Sequence, residues 1–185
     1  MKILISLLIS VTLFALSEKQ KQNIIEAYNV AKLVKAKDGF SFENTVTYIM
    51  LQESSAGLEL IGDKYKNGKL KPLLKSSIGI MQIKVSTARE TIRKTPFLKK
   101  HFSNLLTDDK RIINMLLTSS EFSSLIASHY LVRCYEEAKR KGYSNPYFRA
   151  ISRYNGGWNN QTYYSKIMKR KYFIKDYGFK NGKFN

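Results

Sequence analysis

The sequence predicts one mainly α-helical domain with at most a small β-hairpin or irregular loop. Apolar residues recur at three- and four-residue spacings through most of the chain after residue 18, with helix caps and stops between the runs. No stretch of comparable length alternates with period two. A single long stretch, 56–77, breaks the helical pattern, with Gly57, Gly62, Gly68 and Pro72 among scattered lysines.

The elements follow in order. Residues 1–17 hold one lysine and then an apolar run from Ile3 to Leu16, too short for a comfortable membrane span. Ala15 and Ser17 stand at minus three and minus one of a cut before Glu18, the layout of a secretory signal peptide, with an uncleaved N-terminal anchor as the alternative. No cysteine lies near that junction, which excludes lipid attachment there. Glu18 to Lys37 carries Ile24, Ile25, Tyr28, Ala31 and Val34 at helical spacing, with Gly39 as its stop. Ser41 is placed to cap a second helix leading to Glu53, and the length of the irregular stretch after it favours a functional loop.

Ser86 is placed to cap a helix running to about Lys94, and Thr107 with Asp108 and Asp109 opens another with acid in its first turn. A long helix is expected from Ser120 to Lys141, with Phe122, Leu125, Ile126, Tyr130 and Tyr135 inward and Gly142 closing it. Asn145 followed by Pro146 reads as a cap and a favoured first position, for a helix ending at Tyr154 before Asn155, Gly156 and Gly157. The tail from Tyr163 to Asn185 interleaves lysines with aromatics, which suits either a docking surface or a helix packed back on the domain. The organisation is thus a leader at 1–17, a domain at 18–161 and a basic aromatic C-terminal extension at 162–185.

Composition narrows the function. A formal net charge of +18 in 185 residues favours polyanions: nucleic acid, anionic lipid or a carboxylate-bearing cell wall. Export to the periplasm puts the last two ahead of nucleic acid, which is not expected as a partner. The lone Cys134 forms no internal disulfide, and His101 and His129 with one cysteine make a poor metal set. No glycine-rich phosphate loop and no G-x-S-x-G elbow is present. Neither metal nor cofactor is expected.

What remains is an acid in an apolar setting. Phe42, Val46, Ile49 and Glu53 fall at spacings of four, three and four, one stripe of a helix, so the carboxyl faces the core side. Such a group finds a partner, sits partly hydrated in a cleft, or holds a proton above its ordinary pKa. The last condition is what protonating a glycosidic leaving oxygen near neutral pH requires.

Three segments in order, Glu53-Ser54, SSIGIMQIKVSTA at 76–88 and RYNGG at 153–157, resemble the motifs of the lytic transglycosylases of the lysozyme-like superfamily. The usual forms there are ES, GLMQ leading into x-S-T-A, and AYN followed by glycine. The likeness spans Glu53 to Gly157, with Ile80, Val85 and Arg153 as departures and Ser123 standing where an asparagine is usual. IGD at 61–63 and S-x-G-x-x-Q at 77–82 resemble the branch found with secretion, conjugation and pilus machines.

The resemblance implies a goose-type lysozyme, or SLT, domain acting as a monomer on peptidoglycan. Glu53 would be the catalytic acid, closing a 1,6-anhydro ring on N-acetylmuramic acid. Ser54 and Tyr154 would hydrogen-bond near Glu53 and orient it. Met81 and Gln82 would line sugar subsites, Asn155 would bind an acetamido sugar, and Ser77 and Gly79 complete the supporting set, Gly79 by letting backbone approach the glycan. Asp63 is a candidate second acid, which keeps a hydrolytic muramidase open beside the transglycosylase. A wall-binding assembly protein without catalysis is the rival from another class.

Overall fold

The computed structural model describes residues 15–185, and these form a mainly α-helical body with small antiparallel β elements. The helices are α1 (Glu18–Leu33), α2 (Glu43–Ser54), α3 (Val85–Lys94), α4 (Pro96–Phe102), α5 (Asp109–Thr118), α6 (Ser120–Arg140), α7 (Pro146–Tyr154) and α8 (Gln161–Asp176). Two hairpins accompany them: β1 (Ser77–Ile78) with β2 (Ile83–Lys84), and β3 (Phe179–Lys180) with β4 (Lys183–Phe184). Residues 1–14 of the expected leader lie outside the described residues. Leu16 is buried, and Ser17 opens α1 through a capping box with Gln20, on the leader side of the expected cut.

The longest helix, α6, is the centre of the packing and touches α1, α2, α3, α5 and α7. Its Phe122, Ile126 and Leu131 are buried, while Leu125, Tyr130 and Tyr135 pack half-buried against the core. Helix α2 lies between α1 and α8, and its Val46, Ile49 and Met50 are fully buried. Among the described residues no helix is long and apolar enough to cross a membrane.

Several boundaries differ from the sequence expectation. Helix α1 ends at Leu33 rather than Lys37, because the chain folds back over Lys35 to Ser41. Gly39 serves that turn, with a φ of 83°, instead of a helix stop. Ser41 does not cap α2. The N-cap is Phe42, and the Ser41 hydroxyl donates instead to the Glu43 carboxylate. Ser86 lies inside α3, since β2 runs straight into that helix with Lys84 at the cap position. Asn145 caps α7 with its side chain as expected, whereas α5 is capped by Asp108, leaving only Asp109 as acid in its first turn, and α6 is capped by Ser119, one residue before the expected start.

The segment set apart as an extension at 162–185 shares the core of the 18–161 body. Tyr163, Ile167 and Ile174 of α8 are buried, and Phe179 of β3 meets Tyr28 of α1 edge-on at 5.7 Å between ring centroids. Tyr163, Ile167 and Ile174, spaced four and seven residues apart on one face, give α8 this apolar contact despite its lysines, whose long stems leave their charges in water.

Candidate active site

The three sequence segments meet at one hairpin turn. Gly79 to Gln82 form the tip between β1 and β2, closed by the Gln82 amide on the Gly79 carbonyl at 3.0 Å. The Ser54 hydroxyl donates to the Ile80 carbonyl at 2.6 Å, and the Tyr154 hydroxyl donates to the next carbonyl, Met81, at 2.7 Å. Residues from the end of α2 and the end of α7 thus hold adjacent peptide units of the same turn. Ser54 also accepts from the Gly57 amide at 2.9 Å, just where α2 stops in a left-handed run at Ser55, Ala56 and Gly57.

This arrangement corrects four expected roles. Ser54 and Tyr154 orient the hairpin beneath the acid and make no bond to Glu53 itself. Met81 is 0 % exposed, so it fills core and offers only its carbonyl; it does not line sugar subsites. Gly79 does not open space for a ligand. A Cβ there would lie 2.0 Å from the Leu116 carbonyl oxygen, so its bareness serves packing of the hairpin against α5. Ser123 donates to that same carbonyl at 2.9 Å. Gln82 is held at a φ of 48° by its side-chain amide, which donates to the Glu59 and Gly79 carbonyls at 3.0 and 2.9 Å.

Above the turn lies a cleft of about 410 Å³ whose wall includes Glu53, Asp63, Ser77, Gln82, Tyr154 and Asn155. Asp63 reaches it from the irregular loop, one carboxylate oxygen accepting from the Ser77 amide at 2.7 Å. Asn155 caps the end of α7 and accepts from the Asn160 side chain at 3.2 Å. Arg153 also borders the cleft, its guanidinium 5.4 Å from the centroid of the Trp158 ring. Among the described residues no cluster of three or more His, Cys, Asp and Glu gathers to hold a metal.

Glu53 is half-buried on the stripe that the spacing indicates, behind fully buried Val46 and Ile49. Burial pushes its pKa above the ordinary glutamate value, opposed by a hydrogen bond from Tyr163 and by the charge of Lys166. Glu53 forms no ion pair with another described residue. The Tyr163 hydroxyl donates to its Oε1 at 2.6 Å. Burial first, and then the neighbouring Glu53, push Tyr163 and Tyr154 well above an ordinary phenol, so both stay protonated donors.

Tyr163 is the site residue that sequence reasoning missed. Its position is set by the Asn160 cap, whose side chain accepts from the Tyr163 amide at 2.9 Å and so fixes the register of α8. The Asn160 cap is legible in the sequence; the packing of α8 against α2, which selects Tyr163 among many aromatics, is not. Tyr163→Phe is expected to raise the Glu53 pKa further, because the lost bond favours the ionised carboxylate. Carbon NMR titration of the Glu53 carboxyl reads this directly, and an unmoved or lowered midpoint would remove Tyr163 from its assigned part. No family model, curated protein or solved structure matches this chain.

Proposed function

We propose that this protein is a lytic transglycosylase of lysozyme-like fold that cuts peptidoglycan glycan strands, with Glu53 as its acid. The observation that carries this reading is a half-buried carboxyl of raised pKa, in no ion pair among the described residues, opening into a cleft where all three motif segments meet. In the reaction Glu53 protonates the oxygen between N-acetylmuramic acid and N-acetylglucosamine. The same carboxylate then takes the proton of the muramyl 6-hydroxyl as that oxygen closes on the anomeric carbon. The nucleophile belongs to the substrate and is already oriented, so no positioned water is required.

Asn155 borders the cleft and suits contact with an acetamido sugar, Gln82 lines the same cleft with both its amide hydrogens given to backbone carbonyls, and Tyr163 keeps the carboxyl aimed. The high positive charge suits an acidic wall polymer, and local opening of the wall for a secretion, conjugation or pilus assembly is the setting we propose in the periplasm. Hydrolysis is kept as a second reading by one observation: Asp63 borders the same cleft, and its Ser77 bond occupies only one carboxylate oxygen.

Mass spectrometry of soluble muropeptides released from purified sacculi separates these readings. Anhydro-ended products that disappear with Glu53→Gln are the expected result. Reducing-ended products would make the enzyme a muramidase with Asp63 the residue to change next, and no release at all would leave a wall-binding protein.

A further inference from the structure

At its other end α2 borders a second groove of about 620 Å³, walled in part by Phe40, Tyr48, Tyr147, Lys171, Lys175 and Lys180. Roughly 15 Å of helix separates it from Glu53, taking 1.5 Å per residue from Glu43. The mechanism proposed above uses none of it.

Several features there favour an anion. No side chain caps the first turn of α2, so its free amides meet the groove, with Glu43 in that turn partly offsetting the helix dipole. Tyr48 is only 6 % exposed, yet its hydroxyl has no hydrogen-bond partner among the described residues. Beside it the Thr45 and Tyr147 hydroxyls share one bond at 2.8 Å, which leaves one of their two hydrogens to give. Lys171 is half-buried, and neither it nor Lys175 nor Lys180 forms an ion pair with a described residue. The opposing charge is Glu43 in the first turn of α2, one of whose carboxylate oxygens accepts from the Ser41 hydroxyl. Three cations against one acid leave the groove positive.

We propose that this groove is a second, non-catalytic binding site for the carboxylates of a short acidic peptide. The cations are three lysines on two elements, spread as separate point charges. Lysine ammonium groups lack the planar fork that grips one phosphate bidentately, and as separate point charges they suit several carboxylates along a chain. The aromatic wall of Phe40, Tyr48 and Tyr147 adds apolar surface that a bare inorganic anion would not use. The proposed wall activity supplies the source, since the stem peptides of that polymer carry carboxylates. A stem held here would keep the glycan strand at the cleft between cuts.

The test is NMR titration of the protein with the free stem tetrapeptide, with its carboxylate-amidated form and inorganic phosphate as parallel probes. Shifts at the Asn44, Thr45 and Lys171 amides are expected with the acid peptide alone. Lys171→Glu should weaken binding about tenfold or more, and Tyr48→Phe severalfold. Lys175→Glu at an exposed position serves if the first variant does not fold. Glu53→Gln should bind as well as the wild type, so failure of the cleavage chemistry and failure of the groove read out separately. No shift at the start of α2, an affinity indifferent to both lysine variants, or tighter binding of phosphate than of peptide would overturn the proposal.

Discussion

Glu53→Gln is expected to lower glycan cleavage by about 10²- to 10⁴-fold, the range that a positioned general acid contributes. Glutamine keeps the shape and accepts the Tyr163 hydrogen bond, but it has no proton of the right acidity to give. The same substitution should leave the protein folded and change its stability against pH in a defined sense. The pKa of Glu53 is raised in the folded state, so the folded protein binds more protons than the unfolded chain above the ordinary glutamate value. That contribution is full in acid and is lost as pH rises through the folded pKa. Wild type should therefore lose stability relative to the glutamine variant between acid and neutral pH. Denaturant unfolding of both at two pH values measures the difference. Equal pH dependence would mean that burial does not hold the acid protonated, and unchanged cleavage would show that another group gives the proton.

Gly79→Ala should produce the largest stability loss. The new Cβ would stand 2.0 Å from the Leu116 carbonyl oxygen and 2.8 Å from its carbon, and both are backbone atoms that no rotamer change can move. The φ of 75° adds left-handed strain. Overpacking and strain together come to about 3 kcal/mol or more, a sizeable part of the roughly 5–15 kcal/mol that holds a domain folded. Melting should fall by about 6 °C or more in a chain of this size. Gly68→Ala is the control, because Gly68 has a φ of 80° and nothing within 4 Å of its missing Cβ. It should show the strain without the collision. Comparable losses at the two glycines would mean that contact with Leu116 is not what Gly79 serves.

The helices were legible in the sequence where a polar cap stood next to an apolar period. Asn145 marks such a start and caps α7 in the structure, and the polar run at 107–109 marks the start of α5 to within a residue, with Asp108 as its cap. Where the chain instead enters a helix straight from a strand, as at Lys84, or from a folded-back segment, as at Phe42, a nearby serine misled the assignment. In the site, the stripe from Phe42 to Glu53 correctly places the acid at the edge of the core, because helix period alone decides that.

The roles of the neighbours were less legible, for a physical reason. Spacing places a residue on a face but does not say whether its contacts are protein or ligand. Met81, Gly79 and Ser54 all turn out to serve the hairpin. Tyr163 required tertiary contact between α8 and α2, which no local signal encodes.

The grip of Ser54 and Tyr154 on adjacent carbonyls joins residues 26 and 73 positions apart in the chain. Such contacts of high sequence separation form late, after the entropy of closing the intervening chain has been overcome. They also tie the turn to two helices at once, so local fraying of one element does not release it. The turn should belong to the most slowly exchanging cooperative unit of the molecule, its amides opening only when the whole body unfolds. A chain that has not finished folding therefore has no assembled site, and the proposed activity would report the completed fold rather than any part of it.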